Sequence, residues 1–329
     1  MSKKRHKQRN NIQDRQLSIF FGDEGQNEPL TIENPEIETQ ENDKDLVMGS
    51  GQGTVNFVSF GSGSSGNCAY LGTAGSGILI DAGVDMDLVF KHLEENGVSP
   101  QMVKAILLTH DHADHIRYAY RIARKYKHIR IYCTPRMLNG MLRHHNISRR
   151  IRDYQENYFK EIPFHIAGMT VTAFETSHDG SDNAGFFIEV DNHTFAVATD
   201  MGEITSRALH YIPQAEFLML ESNYDPQMLE NGKYPEYLKS RVRSEKGHLS
   251  NEVASNLVVE NCLEHVKFVF LCHLSNENNT PELALSTMRQ AIEGANRTVG
   301  DASFSVDDRS KDIHIYALPR YDCSQWFVF

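Results

Sequence analysis

The stretch Thr109-His110-Asp111-His112-Ala113-Asp114-His115 follows directly on the apolar run VKAILL at 103–108. Apolar residues in a run of that length, rich in branched side chains, predict a buried strand over 103–109. The three histidines and two carboxylates of 110–115 therefore stand where a strand leaves its sheet. Imidazole and carboxylate are ligands for zinc, and they also suit manganese or iron. Alternate residues of an extended segment point the same way, so His110 and His112 can face one ion. Asp114 and His115, past a sharp turn, can face a second. Core histidines are ordinarily satisfied one at a time by hydrogen bonds. This density of ionisable groups in one short loop is costly to desolvate unless cations compensate. The spacing HxHxDH thus predicts a metal site.

Outward from that loop, short β-rich runs at 54–60, 67–73 and 77–81 precede it, the first two joined by Gly61-Ser62-Gly63-Ser64-Ser65-Gly66. Helices are expected near 85–96, near 114–126 and from Pro135, with a strand at 129–133 between the last two. After a basic connector come strands at 169–175, 185–190, 193–199, 217–221 and 266–272. Ser250 caps one further helix, and Thr280-Pro281 opens another with proline in the first turn. Strands at 312–318 and 325–329 close the chain. Strand runs interspersed with helices, many read as antiparallel from their short turns, predict an α/β fold of two sheets sandwiched between helices. Residues 1–52 lack periodicity, are rich in Asn, Gln, Glu and Pro, and read as a disordered tail. Residues 53–329 read as one catalytic domain. Within the tail, Gln16-Leu17-Ser18-Ile19-Phe20-Phe21 is a compact apolar peptide that can cover the domain or dock into a partner's groove.

The composition, 40% hydrophobic and 23% charged over 329 residues, is that of a globular protein with a sizeable core. The absence of an apolar run of 18 residues predicts no membrane span. The basic start MSKKRHKQRN leads into no apolar segment, so no secretory leader is expected. Five cysteines, odd in number and without CxxC spacing, fit reduced thiols in a cytoplasm. The net charge of −11 argues at first sight against a polyanionic partner. The charge is segregated, however: 116–152 holds eleven Lys/Arg and no Asp or Glu, and Lys239, Arg241, Arg243 and Lys246 precede His248. Such groups can form a positive face and track phosphates; the 116–152 block can instead be solvated helix faces paired with acids elsewhere.

With HxHxDH placed after a strand, the sequence resembles the metallo-β-lactamase superfamily over about residues 54–295. The resemblance implies an αββα sandwich, two mixed sheets flanked by helices. It implies that His178 completes a first metal site with His110 and His112. It further implies that Asp200 bridges to a second, and that His273 completes the second with Asp114 and His115. It also implies that Asp81, in Ile80-Asp81-Ala82-Gly83, supports a ligand from outside the metal shell. Glu221 of Met219-Leu220-Glu221-Ser222-Asn223 and His248 of Gly247-His248-Leu249-Ser250-Asn251 resemble the tRNA-maturation nuclease branch. In that branch a Glu orients a His that protonates the leaving oxygen. The finer pattern, including His273-Leu274-Ser275-Asn276-Glu277-Asn278-Asn279, resembles the bacterial WalJ/YycJ-like metallohydrolases.

Two divalent ions sharing a carboxylate lower the pKa of a shared water and so supply a nucleophile, for a carbonyl, a thioester or a phosphodiester alike. The subfamily resemblance implies a 5′-to-3′ exonuclease on DNA, linked to repair, with catalytic Asp114, His248 and Glu221. The tail peptide Gln16–Phe21 resembles the short segments by which bacterial repair proteins bind the sliding clamp. The competing expectation is a hydrolase of the same fold acting on a cyclic phosphodiester, lactone or thioester. A third is a noncatalytic clamp-tethered adaptor, against which the full set of candidate ligands argues.

Overall fold

The computed structural model of the chain describes residues 54–329. The predicted tail of 1–52 and its peptide Gln16–Phe21 lie outside the described residues. In chain order the strands are β1 (Asn56–Gly61), β2 (Cys68–Gly72), β3 (Gly77–Ile80), β4 (Val103–Leu107), β5 (Arg130–Cys133), β6 (Gln155–Asn157), β7 (Phe164–Ile166) and β8 (Met169–Glu175). They continue with β9 (Ala184–Val190), β10 (His193–Ala198), β11 (Phe217–Glu221), β12 (Phe268–Cys272), β13 (Val299–Gly300), β14 (Ile313–Ala317) and β15 (Phe327–Val328).

They form a seven-stranded sheet, β15-β1-β2-β3-β4-β5-β6, and an eight-stranded sheet, β13-β14-β12-β11-β10-β9-β8-β7. Both are mixed. In the first, β1, β2, β3 and β15 pair antiparallel, and β3 through β6 pair parallel. In the second, β10 through β14 run parallel while β7 to β10 form antiparallel hairpins. Short turns signal antiparallel neighbours only; the parallel half agrees with the two mixed sheets that the family resemblance implies.

The sheets face each other across an aromatic seam in which Phe57 of β1 meets Phe270 of β12 with ring centroids 4.5 Å apart. Strands buried on both faces read as continuous apolar runs, as VKAIL of β4 and FVFLC of β12 do. Behind the second sheet, helices Asn251–Asn261 and Pro281–Gly294 lay Leu257, Val258, Met288 and Ile292 onto Leu218, Leu220 and Leu271. Ser250 and Thr280 cap these helices as predicted, each accepting the backbone N–H three residues on. The helix expected near 114–126 is two, Ala113–Ile116 and Ala119–Lys125, because Tyr118 N–H bonds the Ala82 carbonyl at 2.8 Å. The C-terminal strands belong to the core: β14 joins the second sheet, and β15 closes the edge of the first with Phe327 fully buried.

All five cysteines are free, and burial pushes the Cys133 and Cys262 thiols up to about 12, which makes those two poor nucleophiles. No described helix is long and apolar enough to cross a membrane.

Candidate metal centre

Parallel strands carry their C-terminal ends to one edge, and the candidate residues stand there. His110 lies just past β4, with Asp81 just past its neighbour β3. Asp200, Glu221 and His273 stand at the ends of β10, β11 and β12, which are mutual neighbours. Asp81, Asp200 and His273 have φ of 59°, 54° and 53°. Left-handed backbone at three non-glycine residues costs on the order of 1 kcal/mol each and clusters at functional sites. Here it turns each side chain off its strand and over the sheet edge.

The rings are held by their outer nitrogens. His115 Nδ1 lies 2.7 Å from Asp81 Oδ2, which also accepts the Thr109 hydroxyl at 2.8 Å. That hydroxyl, its own hydrogen directed at Asp81, is free to accept His110 Nδ1 at 3.0 Å. His178 Nδ1 donates to the Gly247 carbonyl at 2.9 Å, and His273 Nδ1 lies 3.0 Å from Glu221 Oε1. Carboxylates and carbonyls only accept, so each Nδ1 carries a hydrogen and each Nε2 is left to point inward. His112 is reversed: its Nε2 lies 3.2 Å from Asp179 Oδ1, and its Nδ1 faces His178 Nε2 at 3.3 Å. The Nε2 atoms of His110 and His273 are buried with no hydrogen-bond partner among the described residues. Orphaned, inward-aimed imidazole nitrogens are what a metal cation satisfies, and outer-nitrogen hydrogen bonds are how proteins orient such ligands.

The donor atoms fall into groups able to hold a cation: His110, His112 and His178; Asp114, His115 and His273; and Asp200 with either His110 and His115 or with Glu221, His248 and His273. Asp200 reaches both sides, with Oδ2 3.4 Å from His115 Nε2 and Oδ1 3.8 Å from His178 Nε2. Asn67 steadies Asp114 Oδ2 with its amide at 3.2 Å. In the absence of a cation, protons must balance the carboxylates. Burial opposes charge on His115, but Asp81, Asp114 and Asp200 outweigh it and raise its pKa to about 9. Burial and the neighbouring His115 instead push His110 well below the usual imidazole range. Opposite shifts in touching rings reflect a pocket whose charges are not balanced by its own side chains.

Glu221 is fully buried and saturated. Its Oε2 accepts the Met201 and Leu249 N–H groups at 2.8 and 3.1 Å, and its Oε1 meets His248 Nδ1 at 2.7 Å as well as His273. Burial would raise its pKa, but His248 and His273 hold it below the ordinary glutamate range, so it is a carboxylate. His248 sits between the ligand groups, its ring centroid 5.0 Å from that of His178 and 5.2 Å from that of His273. Its side chain keeps 19% exposure, so one edge faces the cleft.

A family model described as beta-lactamase superfamily domain matches residues 77–269. The exodeoxyribonuclease YycJ of Bacillus anthracis is 32% identical over 257 residues, 77% of this chain and 95% of that protein. The exodeoxyribonuclease WalJ of Streptococcus pneumoniae is also 32% identical, over 76% of this chain and 93% of its own length. The chain belongs to the metallo-β-lactamase superfamily, among its WalJ/YycJ-like members. Solved structures agree on the fold. YhfI of Bacillus subtilis aligns with a TM-score of 0.60 at 12% identity, covering 84% of this chain and 100% of that one. Zn(2+)-bound PqqB of Methylobacterium extorquens gives 0.53 at 17%, covering 73% and 95%. The metallo-β-lactamase fold binds divalent metals, and the inward-aimed rings described above fit that chemistry.

Around this WalJ/YycJ-like centre, the basic run before His248 behaves differently from its sequence appearance. Arg241 is clamped to Asp179 Oδ2 through Nε and Nη2 at 3.0 and 2.6 Å. Arg243 pairs with Glu230 and Glu236, and Lys239 bonds the Glu230 carbonyl. Of the four cations, three are engaged internally, and Lys246, with no carboxylate partner among the described residues, lines the cleft beside His178. Sequence reasoning missed Asp179, although it directly follows His178. It also missed Asp111, whose Oδ1 accepts the Ser181 N–H at 2.8 Å and ties the HxHxDH loop to the loop carrying His178.

Proposed function

We propose that this chain is a two-metal phosphodiesterase that degrades DNA from a 5′ end, with a role in repair. The observation that carries the reading is the buried Glu221 holding His248 at 2.7 Å on the open side of the metal pocket. A hydrolase that releases an alkoxide needs a proton donor in that place. Supporting it are relatives named exodeoxyribonucleases along nearly their whole length.

In this reading His110, His112 and His178 would hold one ion and Asp114, His115 and His273 the other, with Asp200 placed to serve both. Two divalent cations there, zinc or manganese with iron also accepted by the donor set, supply Lewis acidity toward a phosphoryl oxygen and a water of lowered pKa. Asp81 fixes the His115 ring, and Asn67 fixes the Asp114 carboxylate. His248 keeps its Nδ1 hydrogen on Glu221 and presents Nε2 to the leaving oxygen, and the Glu221 charge stabilises the imidazolium that delivers the proton. Replacing His248 with Ala should leave metal content intact and lower turnover by about 10²–10⁴-fold.

End-labelled DNA with a 5′-phosphate or a 5′-hydroxyl, incubated with manganese or zinc, tests the function. Metal-dependent release from the 5′ end, absent in Asp114→Ala, is the expected result. No release from protein verified to hold two ions would move the assignment to a small-molecule hydrolase. The domain reading, a tail over 1–52 before a catalytic domain in a cytoplasmic protein, belongs to the same proposal. So does docking of Gln16–Phe21 on a sliding clamp, which calorimetry on protein lacking residues 1–30 checks; undiminished heat would end it.

A further inference from the structure

Helix Pro135–His144 buries Met137, Leu138, Gly140 and Met141 and leaves Arg136, Asn139 and Arg143 exposed. Spacings of three and four place these three on one face, and the helical rise sets the two arginines about 10 Å apart along the axis. The helix is pressed against the metal loop at Gly140. A Cβ there would lie 2.0 Å from Asp111 Oδ2 and 2.1 Å from Ser181 Oγ, so only glycine permits the approach. A groove of about 300 Å³ runs along this face, lined by Arg136, Asn139, Gly140, Arg143 and Ser181. A second, of about 320 Å³, shares Arg136 and Ser181 with it and reaches His178 and Lys246. Lys246 also lines a small recess with His178 and His248. The cations thus form a path from Arg143 to the proposed acid.

No carboxylate among the described residues pairs with Arg136, Arg143 or Lys246, in contrast to Arg241 on Asp179. Two acids of the second groove, Glu175 and Asp182, are already held by Lys160. Its third, Glu203, has no basic partner among the described residues.

We infer that the Arg143–Arg136–Lys246 path is the track for the phosphodiester backbone of the DNA strand entering the metal centre. The inference rests on the nuclease reading and adds to it the side from which the strand enters. Paired guanidinium groups suit phosphate oxygens, and the two arginines span more than one phosphate of a strand that rises 3.4 Å or more per nucleotide. Arg143, at the far end of the path, binds the strand rather than the reacting phosphate.

Binding of a phosphorothioate single strand to metal-loaded protein, followed by fluorescence anisotropy from 50 to 200 mM salt, tests this alongside degradation of end-labelled DNA. R136E/R143E is expected to keep its thermal midpoint and metal content. It should lose strand affinity by roughly 20-fold or more at 0.1 M salt, with a log–log salt slope shallower by about 1.4. R136K/R143K, which keeps the charge, should keep the slope. Lys246→Glu, on a separate segment, should weaken binding by about fivefold by itself and serves if the helix variant fails to fold. Parent-like affinity and slope in R136E/R143E and Lys246→Glu, while the parent degrades DNA, would overturn the track and leave the nuclease reading standing. A parent that neither binds nor degrades the strand would remove both.

Discussion

Two buried carboxylates, Asp81 and Glu221, stand at the ends of strands in opposite sheets and do the same first task. Each holds an imidazole by Nδ1 at 2.7 Å, Asp81 for His115 and Glu221 for His248. Their second contacts differ. Asp81 spends its remaining capacity on Thr109, through the backbone N–H and the hydroxyl, and its histidine is wholly enclosed. Glu221 spends its own on His273 and two backbone N–H groups, and its histidine opens to the cleft. A carboxylate–imidazole pair closed to solvent can only position a ligand. The same pair with one edge open can exchange a proton with a substrate. Enclosure, rather than residue type, separates the two roles.

Substitutions can break this comparison. Glu221→Gln should have the largest effect, because one oxygen serves both His248 and His273. Turnover is expected to fall about 10²–10⁴-fold through the lost acid, with a further drop of about 10–100-fold in metal affinity through His273. Steady-state kinetics on labelled DNA and a competitive chelator titration read the two separately. A variant that lost only metal affinity would show that His248 has no acid role.

Asp81→Asn should come next and act on one side only. Metal affinity is expected to fall about 10–100-fold, while turnover at saturating metal and its pH profile stay as in the parent. A shifted pH profile would mean that Asp81 takes part in proton transfer and that the two pairs are not distinct.

The smallest effect concerns pH and stability. His115 has a folded pKa near 9, above the ordinary imidazole value of about 6.5. A raised pKa contributes stability that is fully present below pH 6.5 and is lost as pH rises toward 9. Chelated protein should therefore become easier to unfold with denaturant across that window. Loaded protein should not, because the cation takes the place of the proton on Nε2. A pH-independent midpoint in the chelated protein would show that His115 is not charged there.

The legibility of the site followed how local each part is. His110, His112, Asp114 and His115 occupy one short loop after an apolar strand, so spacing alone pointed to a metal. His178, Asp200 and His273 are single residues at separate strand ends and were reached only through a family resemblance. The structure brings all of them to one edge. The pairing of Arg241 with Asp179 spans 62 residues and depends on how two loops meet, which charge patterning does not encode. Consequently 239–246 looked like a phosphate-binding run although three of its cations are engaged. Within the basic 116–152 block, Arg121 and Lys125 pair with Asp87 and Arg130 with Glu156. Arg136 and Arg143, on one helix face, have no carboxylate partner among the described residues. The close approach at Gly140 was invisible for the same reason, since its necessity comes from Asp111 and Ser181 across space.

Anomalous diffraction at the manganese edge from manganese-loaded crystals tests the central claim most directly. Two peaks are expected on either side of Asp200, one among His110, His112 and His178 and one among Asp114, His115 and His273, with Glu221 and His248 outside both. A single peak, or one coordinated by His248, would contradict the two-metal centre with a separate proton donor.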